Sequence, residues 1–146
     1  MIDRIPHRPT GRLHLEVWRH GRRIEVFDAP NLVVNGYRLV QSRLLGGDVT
    51  NRSITQFGVG TNGAAPVPGN TSLTGAYLNA LTGVTYPASN QVRFAFELAS
   101  GEANGLSIQE FGLLCADGTL YARKVRSATL LKDAGISLTG TWTITF

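Results

Sequence analysis

Short apolar runs of period two, broken by turn residues about every ten positions, restrict this chain to a β-rich fold. Leu13, Leu15 and Val17 alternate with His14, Glu16 and Trp18, and Ile24 and Val26 alternate with Glu25 and Phe27. Between these runs, Arg19-His20-Gly21-Arg22 offers the positive-φ glycine of a tight hairpin. Val92, Phe94, Phe96 and Leu98 alternate with Arg93, Ala95 and Glu97, the signature of a half-buried strand. Further strands are expected over 54–60, 76–85, 106–114, 120–125 and 136–146, with Ala116-Asp117-Gly118-Thr119 as a second hairpin turn. One stretch reads differently. Tyr37, Val40 and Leu44 recur at helical spacing, which predicts a short amphipathic helix at about 36–45. Asn35 is its expected N-cap, Gly46-Gly47 its stop, and a sheet the surface beneath its apolar stripe. Seven or eight strands and one helix give a mainly β class: an antiparallel β-sandwich or barrel-like domain. The 146 residues suffice for one domain. Residues 1–10, with Pro6 and Pro9 and no periodicity, read as an extended N-terminal arm, and 11–146 as a single β-rich domain.

Charge is sparse and segregated. The formal net charge is +4. All of that surplus lies in residues 1–52, where nine arginines face five acids and lysine is absent, whereas 93–146 balances five basic residues against five acidic ones. Between them, the forty residues 53–92 contain no Asp, Glu, Lys or Arg. Such a run is either a long surface loop with two buried strands or a surface covered by another subunit, since interface cores are depleted of charge. Its Gly, Pro and Asn content excludes a membrane helix, and no window approaches the roughly 18–20 apolar residues of a span. Without a secretory pattern at the N-terminus, the chain is expected to be made in a cytosol and to have no membrane partner. The arginine surplus reads as local docking, not a nucleic-acid field, and Arg4, Arg8, Arg12, Arg22 and Arg23 are the candidate partner contacts.

No catalytic set emerges. Gly58-Val59-Gly60-Thr61-Asn62-Gly63 matches G-x-G-x-x-G, but Pro66 and Pro68 prevent the helix that should follow. The first acid after it is Glu97, so neither a dinucleotide nor another cofactor is expected. His7, His14 and His20 sit on the arm, a strand face and a turn. His14 and His20 could approach across the hairpin, yet without a carboxylate partner they predict no metal site. The single Cys115 allows neither an internal disulfide nor a Cys-rich zinc site, and reads as a small, partly buried residue. Glu97, Glu102 and Glu110 flank a strand-loop-strand with little chain left to wall a cleft. Glu110 is instead expected to be structural, buried beside Gly112 and held by backbone N–H groups or by Arg123. The chain is therefore expected not to be an enzyme. A host-glycan site would draw on Trp18, Tyr77, Tyr86, Tyr121 or Trp142.

The order of several short strings resembles small structural proteins of tailed bacteriophages. These are Asn31-Leu32-Val33-Val34-Asn35-Gly36, Leu44-Leu45-Gly46-Gly47, Phe57-Gly58-Val59-Gly60-Thr61 and Asn70-Thr71-Ser72-Leu73. In the second half they are Glu102-Ala103-Asn104-Gly105, Ile108-Gln109-Glu110-Phe111-Gly112-Leu113 and Gly118-Thr119-Leu120-Tyr121-Ala122-Arg123. The resemblance spans most of residues 11–146. It implies a non-enzymatic virion component of the tail, tail fibre or baseplate, or alternatively a capsid decoration protein of the head. It would be made in the host cytoplasm and carried in the virion. The expected partners are further copies of the chain, as a trimer or hexamer, and other virion proteins, with a host surface glycan as an alternative and no specific nucleic acid.

Overall fold

A computed structural model describes residues 8–146. Nine antiparallel strands and one helix follow in the order β1 (Thr10–Arg19), β2 (Arg22–Val33), α1 (Tyr37–Leu45), β3 (Ile54–Gly60), β4 (Tyr77–Ala80), β5 (Gly83–Thr85), β6 (Gln91–Leu98), β7 (Ser107–Cys115), β8 (Leu120–Leu131) and β9 (Ile136–Thr145). The strands form one curled sheet in the order β4-β3-β7-β8-β2-β1-β9-β6-β5, a half-barrel as the mainly β reading expected.

The curl comes from two strands that change partners. β2 pairs with β1 over most of its length and with β8 only at Leu32 and Val33. On the opposite side, the single strand expected over 76–85 divides. Residues 77–80 bond to β3, after which Leu81 N–H donates to Thr55 and Thr82 N–H to Ala95, and 83–85 bond to β6. Consecutive strands β4 and β5 thus hold the two ends of the sheet together. A front layer (β1, β9, β6, β5 and most of β2) faces a back layer (β8, β7, β3 and β4).

The core lies between these layers. Leu13, Leu15 and Val17 of β1, Phe94, Phe96 and Leu98 of β6, and Leu138, Trp142 and Ile144 of β9 point inward from the front. Phe57, Val59, Ile108, Phe111, Leu113 and Cys115 meet them from the back. Phe57 and Phe96 stack with ring centroids 3.9 Å apart. That approach depends on Gly140, where a Cβ would lie 2.2 Å from the His14 carbonyl oxygen and 2.6 Å from the Phe96 ring. Trp142 is fully buried, and its indole N–H donates to Asn31 at 2.7 Å, which satisfies its polar edge.

Two local expectations are corrected. The first hairpin turns at His20 and Gly21, both at positive φ (48° and 77°), as a tight two-residue turn requires. The resulting register sets Leu15 opposite Phe27 and Val17 opposite Glu25, with a bulge at Val17/Trp18. Phe27 therefore packs on the core, while Ile24 and Val26 face outward at 52% and 47% exposure. The helix is the second case. Asn35 does not cap it, because its side chain accepts a bond from Arg8, and Gly36 occupies the cap position without a side-chain bond. A Cβ on Gly36 would lie 2.3 Å from the Leu120 carbonyl, so the close approach of helix and β8 excludes a conventional capping residue. The helix ends as expected, with Gly47 at φ 87°.

Candidate functional site

Three features face outward from this frame: a charge-free strap, a polar strand face and an apolar cavity.

The strap is residues 61–76, irregular chain laid across the outer face of β3 and β7. Leu73 packs with Val34, Leu114 and Leu120 in a second apolar cluster. It fits because Gly58 and Gly112 leave room: a Cβ on either would meet the Leu73 side chain at 2.7 and 3.0 Å. β7 is consequently buried on both faces, which explains its run of buried residues from Glu110 to Cys115.

A buried ion pair anchors the strap. Glu110 and Arg123, at 0% and 1% exposure, meet diagonally across β7 and β8, where Arg123 lies opposite Gly112. Arg123 Nε donates to Glu110 Oε1 at 3.0 Å, Nη1 to Asn70 Oδ1 at 3.0 Å and Nη2 to the Asn62 carbonyl at 3.0 Å. Glu110 Oε2 accepts the backbone N–H groups of Asn62 at 2.7 Å and Thr74 at 3.0 Å. Each oxygen of the acid and each nitrogen of the guanidinium has a partner, as charges removed from water require. The glycines that resembled a nucleotide loop, Gly58 and Gly60, admit Leu73 and Glu110.

Lys132 is a second buried charge, and nothing in the sequence singled it out. Its Nζ donates to the carbonyls of Ser100 (3.2 Å) and Asp133 (3.1 Å) and to Asn104 Oδ1 (2.9 Å). Loss of water lowers its pKa from the ordinary lysine value. Glu102 Oε1 accepts the Ala99 N–H in the same turn, so the acid and the amide of Glu102-Ala103-Asn104-Gly105 both serve loop geometry.

The outer face of the front layer is polar. Register aligns Thr139, Thr141, Thr143 and Thr145 of β9 beside Glu16, His14, Arg12 and Thr10 of β1. His14 Nδ1 lies 2.9 Å from Asp28 and its Nε2 3.4 Å from Glu16. The carboxylate partner that seemed missing is supplied by cross-strand pairing of His14 with Asp28. No group of three or more metal-binding side chains forms among the described residues. The hydrogen bond that the His14 ring donates to Asp28 leads the interactions that raise the His14 pKa above 6.5. Protonated His14 therefore stabilises the fold fully below that ordinary value, and the gain disappears as pH rises through the raised pKa. With His14 39% exposed, the effect should stay below about 1 kcal/mol. The melting temperature of the wild type minus that of His14→Gln should therefore fall modestly between pH 5.5 and 8.5, and a difference independent of pH would contradict this.

The candidate docking arginines separate. Arg12 pairs with Asp28, and Arg23 with Glu16 at 3.3 Å. Arg22 is exposed at the hairpin and has no ion pair among the described residues. Arg8 is tied down, donating to the Val33 carbonyl and to Asn35 at 2.8 Å each, with its guanidinium 5.2 Å from the centre of the Tyr37 ring. Arg4 and His7, with the rest of the arm up to residue 7, lie outside the described residues, and the tenth residue of the expected arm already opens β1. Of the aromatic candidates, Trp142 and Tyr121 are buried. Trp18 donates to Thr139 on the front face, Tyr77 donates to Glu102, and Tyr86 stands 76% exposed beyond β5.

Cys115 is buried, and its thiol donates to the Arg52 carbonyl at 3.2 Å. Burial pushes its pKa up to about 11, so almost no thiolate exists at neutral pH. The native protein should resist a thiol reagent at pH 7.5 and react stoichiometrically once denatured; rapid native labelling would show that the site opens.

An apolar cavity of about 600 Å³ opens at the end of the sandwich where α1 crosses between the layers. Apolar and aromatic side chains, among them Val40, Leu44, Ile54, Val84, Phe94 and Phe146, form most of its wall, with Gln41, Ser89 and Asn90 among its polar members. Among the described residues, no charged side chain lines it. Nothing local in the chain marks it, because its wall gathers six separate segments.

No family model, curated protein or solved structure matches the chain.

Proposed function

We propose that this protein is a non-enzymatic structural component of a tailed-phage virion, in the tail, fibre or baseplate, acting by self-association and docking to other virion proteins. One observation carries this reading. The charge-free run 53–92 supplies exposed surface, including Val67, Tyr77, Leu78, Val84 and Tyr86 at 36–76% exposure. Solvated surfaces normally carry interspersed charges, whereas surfaces covered in an assembly lack them. The strap is held in one conformation by the Glu110–Arg123 pair, and a preorganised surface loses less entropy on association. The resemblance of the short motifs to phage structural proteins points the same way, and a head-decoration role would use the same surface.

The test is the mass of the protein in solution. The wild type is expected to be a homo-oligomer, a trimer or hexamer, by native mass spectrometry and sedimentation. Val67→Asp and Leu78→Lys should shift it to monomer with little change in melting temperature. A monomeric wild type at high concentration, or variants with unchanged mass, would overturn the assembly reading. Peptides of this chain should also appear in purified tailed particles.

A further inference from the structure

The outer face of the front layer carries its charges in rows. Strand register places Glu16, Thr139 and Glu97 side by side on β1, β9 and β6, and Arg12, Thr143 and Arg93 side by side four residues further along β9. Two acids thus flank one threonine and two arginines flank another, about 14 Å apart along the strands. The row of His14, Thr141 and Ala95 runs midway between them. β2 extends the same pattern, with Val26 beside Glu16 and Pro30 beside Arg12. Both of these apolar side chains are exposed, Val26 at 47%. The four charges keep atoms for a partner. Arg93 and Glu97 are exposed and have no ion pair among the described residues, Arg93 giving its Nε to Thr143 at 3.0 Å. Arg12 uses Nε on Asp28, and Glu16 uses Oε1 on Arg23 and His14. The Nη groups of Arg12 and Oε2 of Glu16 have no partner among the described residues.

We propose that this face is a self-complementary interface, on which a second copy of the chain stacks about a two-fold axis running across the strands at Thr141. Such an axis reverses the strand direction and keeps each strand over its own copy. Arg93 then meets Glu97 of the second copy, Arg12 meets Glu16 and Val26 meets Pro30, and each contact occurs twice. An axis along the strands would instead set arginine over arginine and acid over acid, so the charge pattern selects one orientation. His14 falls on the axis, its charge offset by Asp28 at 2.9 Å and Glu16 at 3.4 Å. The face is large enough. Four strands spaced about 4.8 Å apart, over about nine residues of roughly 3.4 Å each, cover roughly 600 Å², so a stacked pair buries about 1,200 Å², above the ~1,000 Å² of a specific interface. Joining two trimers through this face gives a hexamer, a count that rests on the assembly reading, whereas the pairing itself does not.

Sedimentation and native mass spectrometry of the full chain test the pairing. Arg93→Glu and Glu97→Arg each set like charges over one another at both ends of the face, and each should halve the mass of the wild type. Both side chains are exposed, so the circular dichroism of the variants should match that of the wild type. Mixed in equal amounts, the two variants become complementary and should regain the full mass as a mixed species, which a folding defect in either chain would not produce. Unchanged masses in the single variants, or halves that do not recombine, overturn the proposal. A wild-type trimer that Arg93→Glu leaves intact overturns it while the assembly reading stands. A wild-type dimer that Arg93→Glu splits and Val67→Asp leaves intact upholds the pairing while the charge-free surface fails as an interface. A monomeric wild type overturns both.

Discussion

Arg123→Met is expected to destabilise the protein by about 3–5 kcal/mol, the cost of leaving a buried charge without its partner. The substitution removes three hydrogen bonds, to Glu110, Asn70 and Asn62. Glu110 would remain at 0% exposure with only the Asn62 and Thr74 N–H groups to solvate it. Because those groups belong to the strap, the damage should reach the strap first, with faster backbone amide exchange over 61–76 in the variant. For a domain of this size the melting temperature should fall by roughly 10–15 °C. The double variant Glu110→Leu with Arg123→Met should lose less than the sum of the two single variants, since no orphan carboxylate is left. A loss below about 1 kcal/mol for Arg123→Met would show that water reaches the pair and that the strap is held by Leu73 alone.

Trp142→Ala should cost a similar amount, about 3–5 kcal/mol, through a different cause. The indole is fully buried in β9, a strand paired on both sides by β1 and β6. Such a doubly bonded strand cannot move inward to fill the space. The lost indole also leaves Asn31 Oδ1 without its donor, beside an Asn31 Nδ2 that has no partner among the described residues. Trp142→Phe retains most of the volume and should cost less, about 1–3 kcal/mol, mainly for the unmet amide. Urea denaturation of both variants measures the pair of values. Equal losses would assign the effect to the hydrogen bond and not to packing.

How much of this was legible beforehand differs between elements. The hairpin at His20-Gly21 and the helix stop at Gly46-Gly47 were readable, because glycine at those positions answers a local backbone need. The alternation in β6 was readable because one face meets a core and the other water. β2 misled, since Ile24 and Val26 are apolar yet exposed, and only the register with β1 shows which face turns inward. Glu110 and Arg123 could be suspected from a carboxylate inside an apolar strand, but their attachment to Asn62, Asn70 and Thr74 joins residues up to 61 positions apart. Lys132 and the cavity were illegible for the same reason.

By itself, the sequence determined what depends on neighbouring residues: strand period, turn chemistry, the short helix, and a charge-free run between a basic segment and a balanced one. Tertiary structure alone decided where the run goes. Part of it becomes a strap clamped by a buried ion pair, and part becomes the run 77–85 that bonds first to β3 and then to β6. Both outcomes depend on pairings between distant residues, whose loop-closure cost and burial gain belong to the whole fold and leave no local mark.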